Sequence, residues 1–254
     1  MRFLKGHGTE NDFVLLPDHD GTLDLTADLV RRLCDRRAGI GADGVLRVVR
    51  TAACGEPDLP GAEWFMDYRN ADGSIAEMCG NGVRVYARHL VDTGLAPAGQ
   101  LLLATRGGVK DVTVTDDAVT VDMGPAAVGD PVTVDGVAGT FVDMGNPHVI
   151  LPVPSVAALG DLFPDRTDLN VEYVEVVGPR HLRMRVHERG VGETRSCGTG
   201  ACAAVVATVL RTGESRGATY DVDVPGGRLQ VTWRADGHVL LTGPAVVVYE
   251  GEWL

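Results

Sequence analysis

Two short stretches carry the residues best suited to chemistry. AEMCGNGVRVYARHLVDTG, from Ala76 to Gly94, sets Cys79 just ahead of Gly80, Gly82 and a helix-like run that ends at a glycine. HERGVGETRSCGTGACAAVVATVLRTG, from His187 to Gly213, repeats the arrangement around Cys197, with Gly198 and Gly200 behind it. A cysteine at a helix start meets unpaired backbone N–H groups and the positive end of the helix dipole, which favour thiolate over thiol. Glycines there let a ligand's carboxylate approach the same donors. Two such sites in matched halves point to a pair of thiols facing each other across a cleft. Opposed thiols suit the inversion of a carbon stereocentre next to a carboxylate. One sulfur takes the α-proton from one face, the other returns a proton to the opposite face, and the roles swap in reverse. Backbone N–H groups at the helix starts would stabilise the charge that develops on the carboxylate.

The remaining cysteines fit simpler roles. Cys34 and Cys202 sit within apolar helical patterns and read as small buried hydrophobes. Cys54 lies in an insertion-like segment, Thr51 to Gly61, to which no role is assigned. Five cysteines, with no CxxC pair and no zinc-finger spacing, argue against a disulfide framework. The only lysines are Lys5 and Lys110, and no cofactor motif is present, so the chemistry reads as cofactor-independent. GIGADG, Gly39 to Gly44, matches a dinucleotide fingerprint in spelling. It follows a helical stretch and precedes a strand, the reverse of the order such a fingerprint needs.

The chain that must position these residues has 254 of them, enough for one large domain or two ordinary ones. Its apolar fraction of 44% and charged fraction of 23% are those of a soluble globular protein. A net charge of −12 without a Lys/Arg run argues against nucleic-acid or anionic-membrane partners. The longest apolar run, ACAAVVATVL, is too short to span a bilayer, and MRFLKGHGTEND has no secretory core, so a cytoplasmic location is expected.

FLKGHGTENDFVLLP reads as a hairpin and LTADLVRRLCDRR as a helix capped by Thr26. GVLRVVR and AEWFMDYRN read as strands, with a turn at Asn70–Ser74. After the Cys79 helix, QLLLATRGGVKDVTVTDDAVTVDMG gives three strands. The second half replays this order: strands around TFVDMGNPHVILPV, a short helix around SVAALGDLF, strands NVEYVEVV and HLRMRVHE, the Cys197 helix, and a closing meander. The expected class is α+β (mixed α/β), with two duplicated domains, residues 1–122 and 123–242. Pattern alone leaves open whether the last strand, 243–254, returns to the first.

ENDFV, GIGADG, RNADGS, EMCGNGVR, MGNPH, NVE and HERGVGETRSCGTG, in this order over almost the whole chain, resemble diaminopimelate epimerase. The resemblance implies a pseudo-symmetric fold in which each domain wraps a mixed sheet around a central helix. It also implies conversion of LL-2,6-diaminopimelate to the meso isomer, without pyridoxal phosphate or metal, for lysine and peptidoglycan precursor synthesis, and by analogy a homodimer. It makes Cys79 the proton donor and Cys197 the acceptor in that direction. Gly80, Asn81, Gly198 and Thr199 would supply amides to the reacting carboxylate. Asn11, Asn70, Asn146 and Asn170, with Glu188 and Arg189, match the substrate-binding positions, and His148 and Glu188 those that tune the thiols. Asparagine offers donor and acceptor together, and arginine grips a carboxylate through two N–H bonds, as a substrate with two amino-acid ends requires. Taken singly, Asn70 and Asn146 are also good turn formers, Glu188–Arg189 a solvated ion pair and His148 a structural histidine.

Gly44 departs from the pattern, since many members of that family have glutamine there; water or another residue would replace its contact. Proline or histidine racemases of the same fold would keep both cysteines but change the residues for the distal end of the substrate. A phenazine-type isomerase would lack the cysteine pair. A redox switch or metal-binding module is the rival from another class, because two low-pKa thiols at close range can form a disulfide or hold zinc.

Overall fold

The opening hairpin pairs as its apolar stretches demand. In a computed structural model, which describes residues 1–56 and 59–254, β1 (Arg2–Gly8) runs antiparallel to β2 (Asn11–Pro17). Thr9 and Glu10 between them take φ of 50° and 62°, the left-handed pair that a two-residue hairpin requires. The chain divides into two units, Met1–Val121 with Pro244–Leu254, and Asp122–Gly243.

In the first unit α1 (Ala27–Cys34) is capped by the Thr26 hydroxyl, which accepts the Leu29 N–H at 3.2 Å. β3 (Gly44–Arg50) runs parallel to β2 and antiparallel to β4 (Trp64–Asn70). The chain then enters α2 (Gly80–Asp92) and returns as β5 (Gly99–Thr105), parallel to β4. β6 (Gly108–Val114) and β7 (Val119–Pro125) complete an antiparallel meander. β7 begins in this unit and ends in the next.

The second unit holds β8 (Ala127–Val128), β9 (Val132–Val134), β10 (Val137–Asp143) and β11 (Pro147–Pro152). β12 (Asn170–Gly178) runs parallel to β11 and antiparallel to β13 (His181–Glu188). After the short β14 (Gly192–Thr194) comes α3 (Gly198–Thr212), and then β15 (Thr219–Val224), parallel to β13. β16 (Gly227–Trp233) and β17 (His238–Gly243) close its meander. β18 (Val246–Glu252) pairs with β1, so the last strand lies in the first unit.

The order of pairings in β1 to β7 is therefore repeated in β10 to β17: antiparallel, parallel, antiparallel, then a helical crossover to a parallel strand and a meander. Each long helix connects two parallel strands and packs on its own sheet, α2 on β1, β18 and β6, α3 on β16, β10 and β11. α3 is apolar around most of its circumference (GACAAVVATV), which is the pattern of a buried helix. It stops at Gly213, whose φ of 68° is the left-handed stop that glycine takes without strain.

SVAALGDLF does not form the expected short helix; only Val156–Ala158 makes a single 3-10 turn. Pro152, Pro154, Gly160 and Pro164 punctuate the segment, and Leu159 and Leu162 reach the core cluster of Val149, Val171 and Tyr173 from irregular chain. β8, β9 and β14 are too short for a periodicity to show. Of the segment Thr51 to Gly61, Pro57 and Asp58 lie outside the described residues.

His89, in the last turn of α2, is almost fully buried, and neither ring nitrogen has a hydrogen-bond partner. Burial first, then the neighbouring His19, pushes its pKa down to about 4 from an ordinary 6.5. Between those values the unfolded chain binds the extra proton and the folded one does not. Stability should therefore be lost as pH falls from 6.5 to about 4, by up to about 3 kcal/mol from this ring. Melting temperatures taken across that window should fall, and fall less steeply in His89→Leu; equal slopes would place the acid sensitivity elsewhere.

Candidate active site

Each of the two cysteines closes the first turn of its helix with its own sulfur. Cys79 is the N-cap of α2, with extended backbone (φ −144°, ψ 118°), and Sγ accepts the Gly82 N–H at 3.4 Å. Cys197 is the N-cap of α3 (φ −121°, ψ 115°), and Sγ accepts the Gly200 N–H at 3.4 Å. The glycine supplying the N–H is needed for space in both. A Cβ on Gly82 would come within 3.2 Å of Leu46, and one on Gly200 within 2.5 Å of Glu172.

Around Cys79 the first unit assembles a run of amides. The Cys79 thiol donates to Asn11 Oδ1 at 3.7 Å, and Asn81 Nδ2 donates to the same oxygen at 3.1 Å. Asn11 Nδ2 in turn donates to Asp43 Oδ2 at 2.8 Å. Asn81 is held from behind by Arg84, whose Nη1 donates to Asn81 Oδ1 at 2.9 Å. Arg84 is wholly buried and also reaches the Thr9 hydroxyl and the Pro244 carbonyl. This buried guanidinium aligns Asn81, Asn11 and the sulfur, a role that the spacing of EMCGNGVR did not disclose. Gly80 lies buried in the first turn. Asn70 is not joined to this cluster by a hydrogen bond; its Nδ2 donates to the Ser74 hydroxyl across the turn, at 3.0 Å.

Gly44, where glutamine is common in the resembled family, has no room for a side chain. A Cβ there would lie 2.5 Å from the Arg69 carbonyl oxygen and 2.7 Å from the Tyr68 ring. A side chain there would require the Arg69 backbone and the Tyr68 ring to move.

Around Cys197 the second unit places charged groups. The His148 Nδ1 and Glu172 Oε1 lie 2.6 Å apart, and His148 Nε2 is 3.0 Å from Asn146 Oδ1. His148 and Glu172 are completely buried, and a ring nitrogen, a carboxylate oxygen and the Cys197 sulfur lie within 4.8 Å of one another. These residue types can bind metals. Both ring nitrogens are already engaged, however, so the geometry is a hydrogen-bonded relay beside the sulfur rather than an open coordination site. Glu172, in the NVE segment, is a residue to which the sequence assigns no role, and only the fold brings it beside the sulfur.

Thr199 Oγ1 is 3.4 Å from the Cys197 sulfur, and Gly198 is buried in the first turn. Asn170 is fixed by backbone on both sides, donating to the Pro147 carbonyl at 2.8 Å and accepting the Arg189 N–H at 3.0 Å. The Arg189 side chain is exposed, and Glu188 accepts the Thr194 hydroxyl. Burial, then the carboxylates of Glu188 and Glu172, pushes the Cys197 thiol well above its ordinary range, while Thr199 and the Gly200 N–H pull against them. At Cys197 desolvation thus works against the amide and the dipole, which favour thiolate. Cys34 is likewise raised, to about 12, by burial, as suits a core thiol.

A family profile described as diaminopimelate epimerase matches residues 3–128 and 140–248. The diaminopimelate epimerase of Streptomyces coelicolor is 53% identical over 279 aligned positions, covering 100% of this chain and 95% of its own. That of Thermobifida fusca is 51% identical, covering 99% and 97%. Among solved structures, a phenazine biosynthesis protein from Bacillus anthracis superposes with a TM-score of 0.78 at 16% identity, over 100% of this chain and 99% of its own. A probable proline racemase from Agrobacterium radiobacter superposes with 0.70 at 14%, over 100% and 92%. The latter two share the α+β duplicated fold alone. With both sulfur-capped helix starts in place and relatives matched over nearly all their length, this chain belongs to the diaminopimelate epimerase family.

Proposed function

We propose that the protein interconverts LL- and meso-2,6-diaminopimelate by proton transfer through Cys79 and Cys197, with no pyridoxal phosphate. The observation that carries this reading is the doubled cap: in a chain of this family, each long helix begins at a cysteine whose sulfur accepts the N–H of the glycine three residues on. In the LL-to-meso direction Cys197, as the thiolate that its burial and neighbouring carboxylates disfavour at rest, removes the α-proton, and the C–H electron pair passes into the carboxylate. The Cys79 thiol then returns a proton to the opposite face. The turnover leaves Cys197 protonated and Cys79 ionised, the state that serves the reverse reaction. Backbone amides at Gly80–Asn81 and Gly198–Thr199 would receive the carboxylate as its charge grows, a stabilisation worth most where water is excluded.

The relay through Asn11, Asn81 and Arg84 supports a donor thiol at Cys79, because it fixes the direction in which the S–H points. Asn70, Asn146, Asn170, Glu188 and Arg189 are assigned to the unreacting end of the substrate. Asn170 would act by shaping the backbone at Pro147 and Arg189, since both ends of its amide are occupied. The protein is further read as a cytoplasmic homodimer; among the described residues no helix is long and apolar enough to cross a membrane.

The reduced protein, incubated with LL-diaminopimelate in deuterated water and no added cofactor, should place deuterium at one α-position as meso product appears. Cys79→Ala and Cys197→Ala should each cut turnover by about 100-fold or more. A folded, reduced sample that exchanges no α-proton would make diaminopimelate the wrong substrate and turn the search to other amino acids.

Gly44→Gln should fail to tighten substrate binding and should cost about 1–3 kcal/mol of stability from overpacking. A fall in KM with an unchanged melting temperature would show that the strand pair opens to admit the side chain.

A further inference from the structure

The two units build their helix starts from equivalent positions, and at two of these the side chains differ in kind. Phe13 on β2 lies opposite Gly44, the first residue of β3, as His148 on β11 lies opposite Asn170, the first residue of β12. Two residues further along, Leu46 and Glu172 are equivalent. Their contacts agree: Leu46 limits the space at Gly82, and Glu172 limits it at Gly200. All four side chains are fully buried.

In the first unit the pair is Phe13 and Leu46, an ordinary piece of core. In the second it is His148 and Glu172, hydrogen-bonded at 2.6 Å, with the second carboxylate oxygen, Oε2, buried and without a partner. A polar pair with an unsatisfied oxygen is less stable than well-packed apolar groups of like size, and the first unit demonstrates that the fold accepts such groups here. Departures from local packing rules with no structural gain concentrate at functional sites. This one sits beside Cys197.

Resting on the reading of Cys197 as one of two acid–base thiols, we propose that Glu172 is its positioning residue. The carboxylate grips the His148 ring through the Nδ1–H and sets the charge against which the Cys197 sulfur gains and loses its proton. The groups facing that sulfur are Glu188 from β13, Glu172 from β12, His148 from β11, and the Thr199 hydroxyl and Gly200 N–H from α3. Glu188 is partly open to water and tied to Thr194, whereas Glu172 is sealed, so its field reaches the sulfur with little screening. The raised Cys197 thiol, due to burial and then to these two carboxylates, agrees with that placement.

The test follows Cys197 in the resting protein, through the pH dependence of its reaction with iodoacetamide, read on the Cys197 peptide by mass spectrometry. In Glu172→Gln the midpoint should fall by about one pH unit, so that reaction at neutral pH is about tenfold faster. Glu172→Asp keeps the charge and should bring the midpoint back towards that of the parent. A Glu172→Gln midpoint equal to or above the parent's overturns the proposal.

If that variant does not fold, the double variant His148→Phe with Glu172→Leu copies the first unit's pair. It should fold at least as stably as the parent, again with a lowered midpoint, and an unlowered midpoint overturns the proposal. Nitrogen NMR of the His148 ring in the unaltered protein gives a reading that needs no variant: a proton on Nδ1 supports the grip, and a bare Nδ1 overturns it. None of these measurements uses diaminopimelate. A protein that meets them yet exchanges no α-proton sinks the substrate reading alone, and one that turns over with an unmoved midpoint sinks only the role of Glu172.

Discussion

The hydrogen bond from a glycine N–H to a cysteine sulfur is the contact on which the start of each long helix depends. It uses one of the N–H groups that every helix leaves unpaired at its start, and fixes the sulfur over the first turn. The constraint spreads outward. The donor must be glycine, because Leu46 in one unit and Glu172 in the other occupy the space a Cβ would need. The helix must follow a strand and return to a parallel one, so that its start lies at the strand's C-terminal end, where α/β crossovers place ligands. α2 after β4 and α3 after β13 meet that demand.

One backbone plan thus carries two different electrostatic settings. Cys79 stands beside amides aligned by the buried Arg84, and Cys197 beside the buried Glu172 and His148. Symmetry supplies matching geometry, while the side chains break the equivalence of the two sulfurs.

Much of this was legible in the sequence. Helix starts at Cys79 and Cys197, the Thr26 cap, the opening hairpin and the strands all follow from periodicity and turn residues. The reversed GIGADG was correctly set aside, as its glycines lead into β3. What did not show depends on tertiary packing. The five consecutive buried positions at the start of β12 erase the alternation that would have marked Glu172 as inward-facing. Only laying Leu46 against Glu172 in the two halves brings it out. Arg84 reads as an exposed helical charge until the Thr9 turn and the Pro244 carbonyl enclose it. The burial that opposes a thiolate at Cys197 did not show, because dipole arguments say nothing about depth. The helix expected near Val156 stops after a single turn, because Gly160 and the flanking Pro154 and Pro164 outweigh its apolar spacing.

The pairing of β18 with β1 also governs the order in which the protein can be made. β18 leaves the ribosome only after the whole of Asp122–Gly243, and it carries the edge partner of β1 and follows directly on the carbonyl that Arg84 binds. Domains emerging during synthesis usually fold from the N-terminus onward. Here the second unit has all its strands first, while the unit that begins the chain waits with β1 unpaired on one side. During that interval the half-built first unit exposes a strand edge, and the nascent chain is most open to wrong partners there.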